Sequence, residues 1–306
     1  LIAVIGAFPQ ERNMQTIAII GLGNMGGPMA ANLARAGFHT IGFDLSATSC
    51  EEAARTGVTI APTAIDAVEQ ADVIITMLPA GKHVISVWGE ILSSTKKDAL
   101  IIDCSTIDIG SSRHVHTMAV EYKRLSLDAP VSGGTGGAKA GTLTFMVGGS
   151  ERAFTQGEPI LRKMGSKIIH CGEAGAGQAA KICNNMILGI SMLAVSEAFV
   201  LAEKLGLSHQ ALFDVASTSS GQCWSLNTYC PVPGPVPTSP ANNDYRPGFS
   251  AELMLKDLRL AQEAAISSGT TTPLGAEAAQ LYALFNGLGR GKEDFSSVIN
   301  MLREKN

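Results

Sequence analysis

The sequence predicts an α/β protein: a doubly wound parallel sheet followed by an all-α C-terminal domain, the two joined by one long interdomain helix. Three observations carry that expectation. From residue 16 to about 172, short β-rich runs alternate with helical patterns, which is the rhythm of a parallel sheet wrapped by helices. At residues 16–33 an apolar strand runs straight into a G-x-G-x-x-G turn and then into a helix. After Gly175-Ala-Gly177 the β rhythm stops and only helical periodicity follows.

The first strand leads into Gly21-Leu22-Gly23-Asn24-Met25-Gly26. Gly21 permits a tight turn, Gly23 lets the backbone approach a pyrophosphate, and Gly26 lets helix and strand pack closely. Phosphates then lie at the positive end of the helix. The next strand ends in Asp44, 18 residues after Gly26, where a carboxylate accepts hydrogen bonds from ribose hydroxyls and repels a 2′-phosphate. This Rossmann-type pattern predicts NAD as the cofactor. Further strands are expected at 58–60, 73–78, 100–103, 125–128, 143–147 and 167–171. The run Asp72-Val-Ile-Ile-Thr-Met-Leu78 is apolar on both faces, as a doubly covered strand must be. The last two strands are expected to extend the sheet in mixed orientation.

Residues 178–205 contain no proline and carry Ile182, Met186, Ile190 and Leu193 at helical spacing, predicting a helix of roughly 40 Å at ~1.5 Å per residue. Helices follow at 208–217, 250–268, 273–287 and 292–305. Residues 14–177 are therefore expected to form an NAD-binding domain, and 178–306 an all-helical substrate and oligomerisation domain. Residues 1–13 echo the first strand, but Phe8 stands where the second glycine must be. They are expected to be an N-terminal extension, a tag or a targeting remnant, with Met14 as the native start.

A chain of 306 residues is long for one core and comfortable for two. Net charge is −4 and charged residues make up 16%, so no basic stripe exists to neutralise a nucleic-acid backbone. The apolar 45% is spread through short segments, none an uninterrupted run near the ~20 residues that span a bilayer. A soluble protein with neither nucleic acid nor membrane as a partner is expected. Six cysteines and six histidines are scattered without metal-ligand spacing. The thiols are expected to be free, and no metal is expected. His114 and His116, two apart on a helix, face different ways.

Three further segments carry chemistry. In Asp128-Ala-Pro-Val-Ser132-Gly133-Gly134 a strand ends in a serine and paired glycines; successive N–H groups in such a turn form an anion nest that fits a carboxylate. In Gly175-Ala-Gly177-Gln-Ala-Ala-Lys181-Ile-Cys-Asn-Asn185, Lys181 and Asn185 lie four apart on one helical face. Lys256 and Asp257 sit between leucines in an otherwise apolar stretch, where charges need partners or a ligand. Between the helices at 208–217 and 250–268, residues 219–249 hold six prolines together with Trp224, Tyr229, Tyr245 and Phe249. Long aromatic loops of this kind are functional or interfacial more often than solvated linkers.

With these motifs the chain resembles the β-hydroxyacid dehydrogenase family over about residues 15–304. Ser219-Ser-Gly-Gln-Cys-Trp-Ser and the proline run after Pro231 are similar to its hydroxyisobutyrate branch rather than to the glyoxylate, tartronate or 6-phosphogluconate branches. The resemblance implies NAD-dependent oxidation of 3-hydroxyisobutyrate to methylmalonate semialdehyde, a step of valine catabolism, with Lys181 as general acid/base and Asn185 orienting it. It implies that Gly21, Leu22, Gly23, Asn24, Met25, Gly26, Asp44, Leu78, Pro79, Thr106 and Lys256 contact NAD. His83 joins them in place of a familial asparagine. Ser132, Gly133, Gly134, Lys181, Asn185 and Asp257 would hold the small hydroxy acid. A homodimer or homotetramer is implied, in the mitochondrial matrix of a eukaryote or otherwise the cytoplasm. The rivals are a reductase of succinic, tartronate or glyoxylate-type semialdehydes on the same fold, and a non-catalytic dinucleotide-binding relative, whose mark would be loss of the helix lysine.

Overall fold

β1 (Thr16–Ile20) is buried on both faces because its side chains alternate between two separate cores. Ile17 and Ile19 enter one, with Met29, Leu33 and Phe145; Ala18 and Ile20 enter the other, with Trp88 and Ile91. The computed structural model describes residues 15–303, and the expected extension at 1–13 lies outside them. After β1 the chain alternates through α1 (Gly26–Arg35), β2 (His39–Phe43), α2 (Ala47–Ala54), β3 (Thr59–Ile60), α3 (Ala64–Val68) and β4 (Val73–Thr76). It continues through α4 (Gly81–Ile91), β5 (Leu100–Asp103), α5 (Ile109–Glu121) and β6 (Leu125–Asp128). Then come β7 (Val131–Ser132), α6 (Gly134–Ala140), β8 (Leu143–Gly148), α7 (Glu151–Leu161) and β9 (Gly165–Gly172).

These strands make one nine-stranded sheet in the order β3-β2-β1-β4-β5-β6-β8-β7, with β9 paired to β8. Strands β1 to β6 pair in parallel. β8 runs antiparallel to β6, and β9 parallel to β8, so the mixed edge is as expected. The strand order reverses direction between β1 and β4, which opens a ligand crevice at their carboxyl ends. The strand expected at 73–78 stops at Thr76, leaving Met77-Leu78-Pro79 as loop at that crevice. The glycine-rich segment after Ser132 contains a helix, α6, which the composition did not predict. Gly133 and Gly134 enter it at φ 130° and 59°.

α8 (Ala176–Lys204) is 29 residues long, close to the expected span, and packs against both β8 and the helices that follow. By length and composition it could cross a membrane, a property that the lack of a long uninterrupted apolar run did not predict. Its buried face includes Gln178, Lys181, Asn185 and Ser196, and it lies at the centre of the fold. The rest is helical: α9 (His209–Ala216), α10 (Trp224–Asn227), α11 (Ala251–Ser268), α12 (Pro273–Phe285) and α13 (Val298–Arg303). The last helix starts later than expected, because Asp294 instead caps a short 3₁₀ turn at Phe295–Ser297.

The proline-rich loop is held down rather than solvated. α10 precedes its first proline, and Trp224 stacks on Tyr229 at 4.8 Å, which in turn stacks on Phe295 at 5.4 Å. Asp294 Oδ2 accepts from the Tyr229 hydroxyl at 2.8 Å, from Gly248 N at 3.0 Å and from Phe249 N at 3.2 Å. Tyr245 donates to the Pro231 carbonyl.

α8 approaches the sheet closely at Gly177. A Cβ there would lie 2.3 Å from the Met146 carbonyl oxygen and 2.6 Å from that of Asp128. Gly177→Ala is expected to destabilise the fold by about 1–3 kcal/mol, since backbone on both sides cannot yield as a side chain would. Urea unfolding with an unchanged m-value and a lower midpoint is the expected result.

Candidate active site

The dinucleotide turn occupies the mouth of the crevice. A Cβ at Gly21 would meet the Met77 carbonyl oxygen at 2.3 Å, and one at Gly26 the Gly21 carbonyl at 1.8 Å, whereas one at Gly23 would meet nothing within 4 Å. Two glycines thus serve the close turn, and the middle one borders open space. No side chain caps the start of α1, so its positive end faces that space, a cradle that fits a pyrophosphate. Asp44, just past β2, has Oδ2 2.6 Å from Leu22 N and Oδ1 2.8 Å from Ser46 N. Those bonds fix a carboxylate beside the turn. Leu78 N donates to Ser105 Oγ, joining the loops after β4 and β5. His83 is exposed in the first turn of α4.

The first turn of α8 is held by groups far away in sequence. Gly175, its N-cap residue, supplies no side-chain bond, and Asp128 at the end of β6 takes that part. Its Oδ1 accepts from Gly175 N at 2.8 Å and its Oδ2 from Gln178 N at 2.9 Å. His116 Nε2 lies 2.9 Å from the same Oδ1, and its Nδ1 2.7 Å from Ser126 Oγ. The Gln178 side chain bridges to the loop after β5, donating to the Ser105 carbonyl at 2.7 Å and accepting from Ile107 N at 3.2 Å. Asp128 and Gln178 each belong to a motif of the sequence, but a separation of 50 residues leaves no periodic signal of their contact. Neighbouring Asp103 is fully buried, which pushes its carboxyl up to about 6 against hydrogen bonds from Ser105 and Thr76.

One turn beyond Gln178, Lys181 is 7% exposed. Burial lowers its pKa from the ordinary lysine value; Asp257 opposes that shift and Lys256 adds to it. Asn185, on the same face, is buried and donates through Nδ2 to Asp257 Oδ2. Lys256 Nζ reaches across to the Thr106 carbonyl at 2.9 Å and lies 3.5 Å from Asp257 Oδ1. The structure therefore gathers Lys181, Asn185, Lys256, Asp257 and Thr106 into one cluster beside the crevice. Asp257 is buried behind Asn185. Ser132 stands on β7, four residues after Asp128, and pairs with Thr144 of β8. A Cβ on Gly134 would sit 3.3 Å from the Gly248 carbonyl, so the proline-rich loop borders the glycine turn. Among the described residues no group of three His, Cys, Asp or Glu could hold a metal ion, and the six cysteines are free thiols.

Comparison with known proteins matches this architecture. Residues 16–172 fit the family model of the NAD binding domain of 6-phosphogluconate dehydrogenase, and residues 175–302 a model described as NAD-binding of NADP-dependent 3-hydroxyisobutyrate dehydrogenase. A probable 3-hydroxyisobutyrate dehydrogenase of Mycobacterium tuberculosis is 54% identical over 292 residues, covering 95% of this chain and 99% of that one. The mitochondrial 3-hydroxyisobutyrate dehydrogenase of Rattus norvegicus is 45% identical, covering 94% and 87%. The solved structure of the M. tuberculosis enzyme with L-serine superposes with a TM-score of 0.92 at 54% identity, covering 95% of this chain and all of that one. On identity, coverage and shape together, this chain belongs to the 3-hydroxyisobutyrate dehydrogenase family.

Proposed function

We propose that the protein oxidises 3-hydroxyisobutyrate to methylmalonate semialdehyde with NAD as electron acceptor, as a step of valine catabolism. The observation that carries this reading is Lys181: a buried lysine, held below its ordinary pKa, on one helical face with Asn185 and one turn beyond Gln178, whose side chain holds the loop after β5. Residues 14–177 would serve the cofactor, and 178–306 the substrate and assembly into a homodimer or homotetramer. The mitochondrial relatives support a matrix location if the source is eukaryotic.

The turn from Gly21 to Gly26 would hold the pyrophosphate, Asp44 the adenosine ribose, and Leu78, Pro79, His83, Thr106 and Lys256 the remainder. Bound there, NAD would supply the acceptor for a hydride leaving the hydroxymethyl carbon. Ser132 and the N–H groups of Gly133 and Gly134 hold the substrate carboxylate. Neutral Lys181 takes the hydroxyl proton at Nζ, and Asn185 orients that amine. Asp257 acts through Asn185, keeping its amide from rotating. Burial favours the neutral amine that a base must be. The direct test follows the NADH absorbance band with and without 3-hydroxyisobutyrate; no NADH formation at any pH from neutral to alkaline overturns the assignment.

Because its pKa is lowered, Lys181 is neutral at a pH where an ordinary lysine is charged. Oxidation is expected to rise with pH through an apparent pKa below the free value of ~10.4 and to be lost as pH falls beneath it. Lys181→Ala should lower kcat ~10²–10⁴-fold with NAD affinity nearly intact. Lys181→Arg should be almost as poor, because a guanidinium does not deprotonate in this range. A tenth of wild-type turnover surviving in the alanine variant, with hydride transfer rate-limiting, would assign the base elsewhere.

The carboxylate of Asp44 supports NAD over NADP, since a 2′-phosphate would meet a fixed negative charge. kcat/KM for NAD is expected to exceed that for NADP at least ~100-fold. Asp44→Ser combined with Leu45→Arg should narrow the gap, and equal use of both cofactors by the wild type contradicts the role given to Asp44. At the other end of the site, Ser132→Ala should weaken carboxylate substrates by about 1.5–3 kcal/mol, read as a higher KM. The matching amides should change less; equal effects on acid and amide would move the carboxylate site away from Ser132.

A further inference from the structure

Gln178 is completely buried, and three of its polar groups reach from the first turn of α8 to segments far away in sequence. Its main-chain N–H is tied to Asp128, its side-chain amide donates to the Ser105 carbonyl, and its side-chain carbonyl accepts from Ile107 N. The residue between those two loop contacts, Thr106, gives its carbonyl to Lys256 of α11. The segment 105–107 is thus gripped from α8 and α11 together, and Ser105 Oγ also receives Leu78 N. A single glutamine therefore links the loops that edge the dinucleotide crevice to the helix that carries Lys181 one turn later.

We propose that Gln178 is a positioning residue for the reaction: its amide sets the separation between the cofactor-side loop at 105–107 and the Lys181 amine. The proposal rests on Lys181 being the base. An amide suits this place because it must donate to one backbone group and accept from its neighbour two residues on, which neither a carboxylate nor an apolar side chain does. Both bonds are buried, and losing them takes from Ser105 O and Ile107 N these partners. Small misplacements of a reacting group cost large factors in rate, so the cost should fall on hydride transfer rather than on binding.

The test compares Gln178→Met, which keeps length and volume but removes both bonds, with Gln178→Glu, which keeps the shape and adds charge, and with Lys181→Met in parallel. For Gln178→Met, kcat should fall at least 10-fold, with NADH affinity by fluorescence and KM for the hydroxy acid each within about 3-fold of wild type. The primary deuterium isotope effect on kcat should rise, because the chemical step has become slower; a purely structural role would lower the melting temperature without moving that isotope effect. For Gln178→Glu, the apparent pKa of the kcat profile should move up, because a carboxylate one turn from Lys181 favours the ammonium. Wild-type kcat and isotope effect in folded Gln178→Met overturn the proposal, as does a loss confined to KM or to NADH affinity. Should the methionine variant fail to fold, an unmoved pH profile in Gln178→Glu overturns it instead. Turnover retained by Lys181→Met refutes the base assignment, whereas an inactive Lys181→Met beside a wild-type-like Gln178→Met refutes only the role of Gln178.

Discussion

The arrangement depends on one buried carboxylate. Asp128 ends β6 at the place where α8 begins, and its two oxygens take the free N–H groups of Gly175 and Gln178 while His116 steadies one of them. A long helix without a cap of its own is thereby capped from another element. A buried charge is costly unless paired with donors; here main-chain N–H groups, the imidazole and the positive end of the helix dipole all face it. Four residues later, at the end of the next short strand, β7, stand Ser132 and the glycine turn. The proposed base and the proposed carboxylate site therefore share one anchor, and their spacing follows from a short stretch of backbone.

The lysine beyond that anchor illustrates opposing demands. Burial disfavours its charged form, and an amine surrounded only by apolar groups would be neutral but poorly oriented. Asp257 pulls the other way and Lys256 pushes back, so two charges of opposite sign act on the amine. The pair is not a surface ion pair of little consequence, because Asp257 is buried and bonded to Asn185. Lys256, still partly exposed, spends its hydrogen bond on Thr106, which ties the helical part of the molecule to the sheet edge beside the crevice.

Much of this was legible in the residues. The strand positions, the dinucleotide turn, the mixed edge of the sheet and the long helix follow from local periodicity and glycine spacing, and they appear within a residue or two of where the pattern puts them. What escaped notice obeys other rules. α6 contains Gly134, Gly136 and Gly137, and glycine disfavours helix, so only its packing against α1 and β8 explains it. His116 reads as one of several dispersed histidines because it stands on α5 while its partners, Ser126 and Asp128, lie on β6. The late start of α13 reflects Asp294, whose carboxylate is committed to the proline-rich loop and to the 3₁₀ turn it caps. Contacts between residues far apart in the chain leave no trace in a sliding window, and those contacts hold the candidate site together.

Asp294 has one more consequence, for the order in which the molecule is made. The dinucleotide turn and all the strands of its sheet are complete by Gly172, and domains can fold as they leave the ribosome. The loop that borders Gly134 is fastened by Asp294, which comes far later in the chain than the last strand, β9. A nascent chain can therefore assemble its nucleotide cradle early, whereas the loop bordering Gly134 is fastened only once Asp294 has emerged. A polypeptide truncated before that residue would keep the former and lack the fastening of the latter.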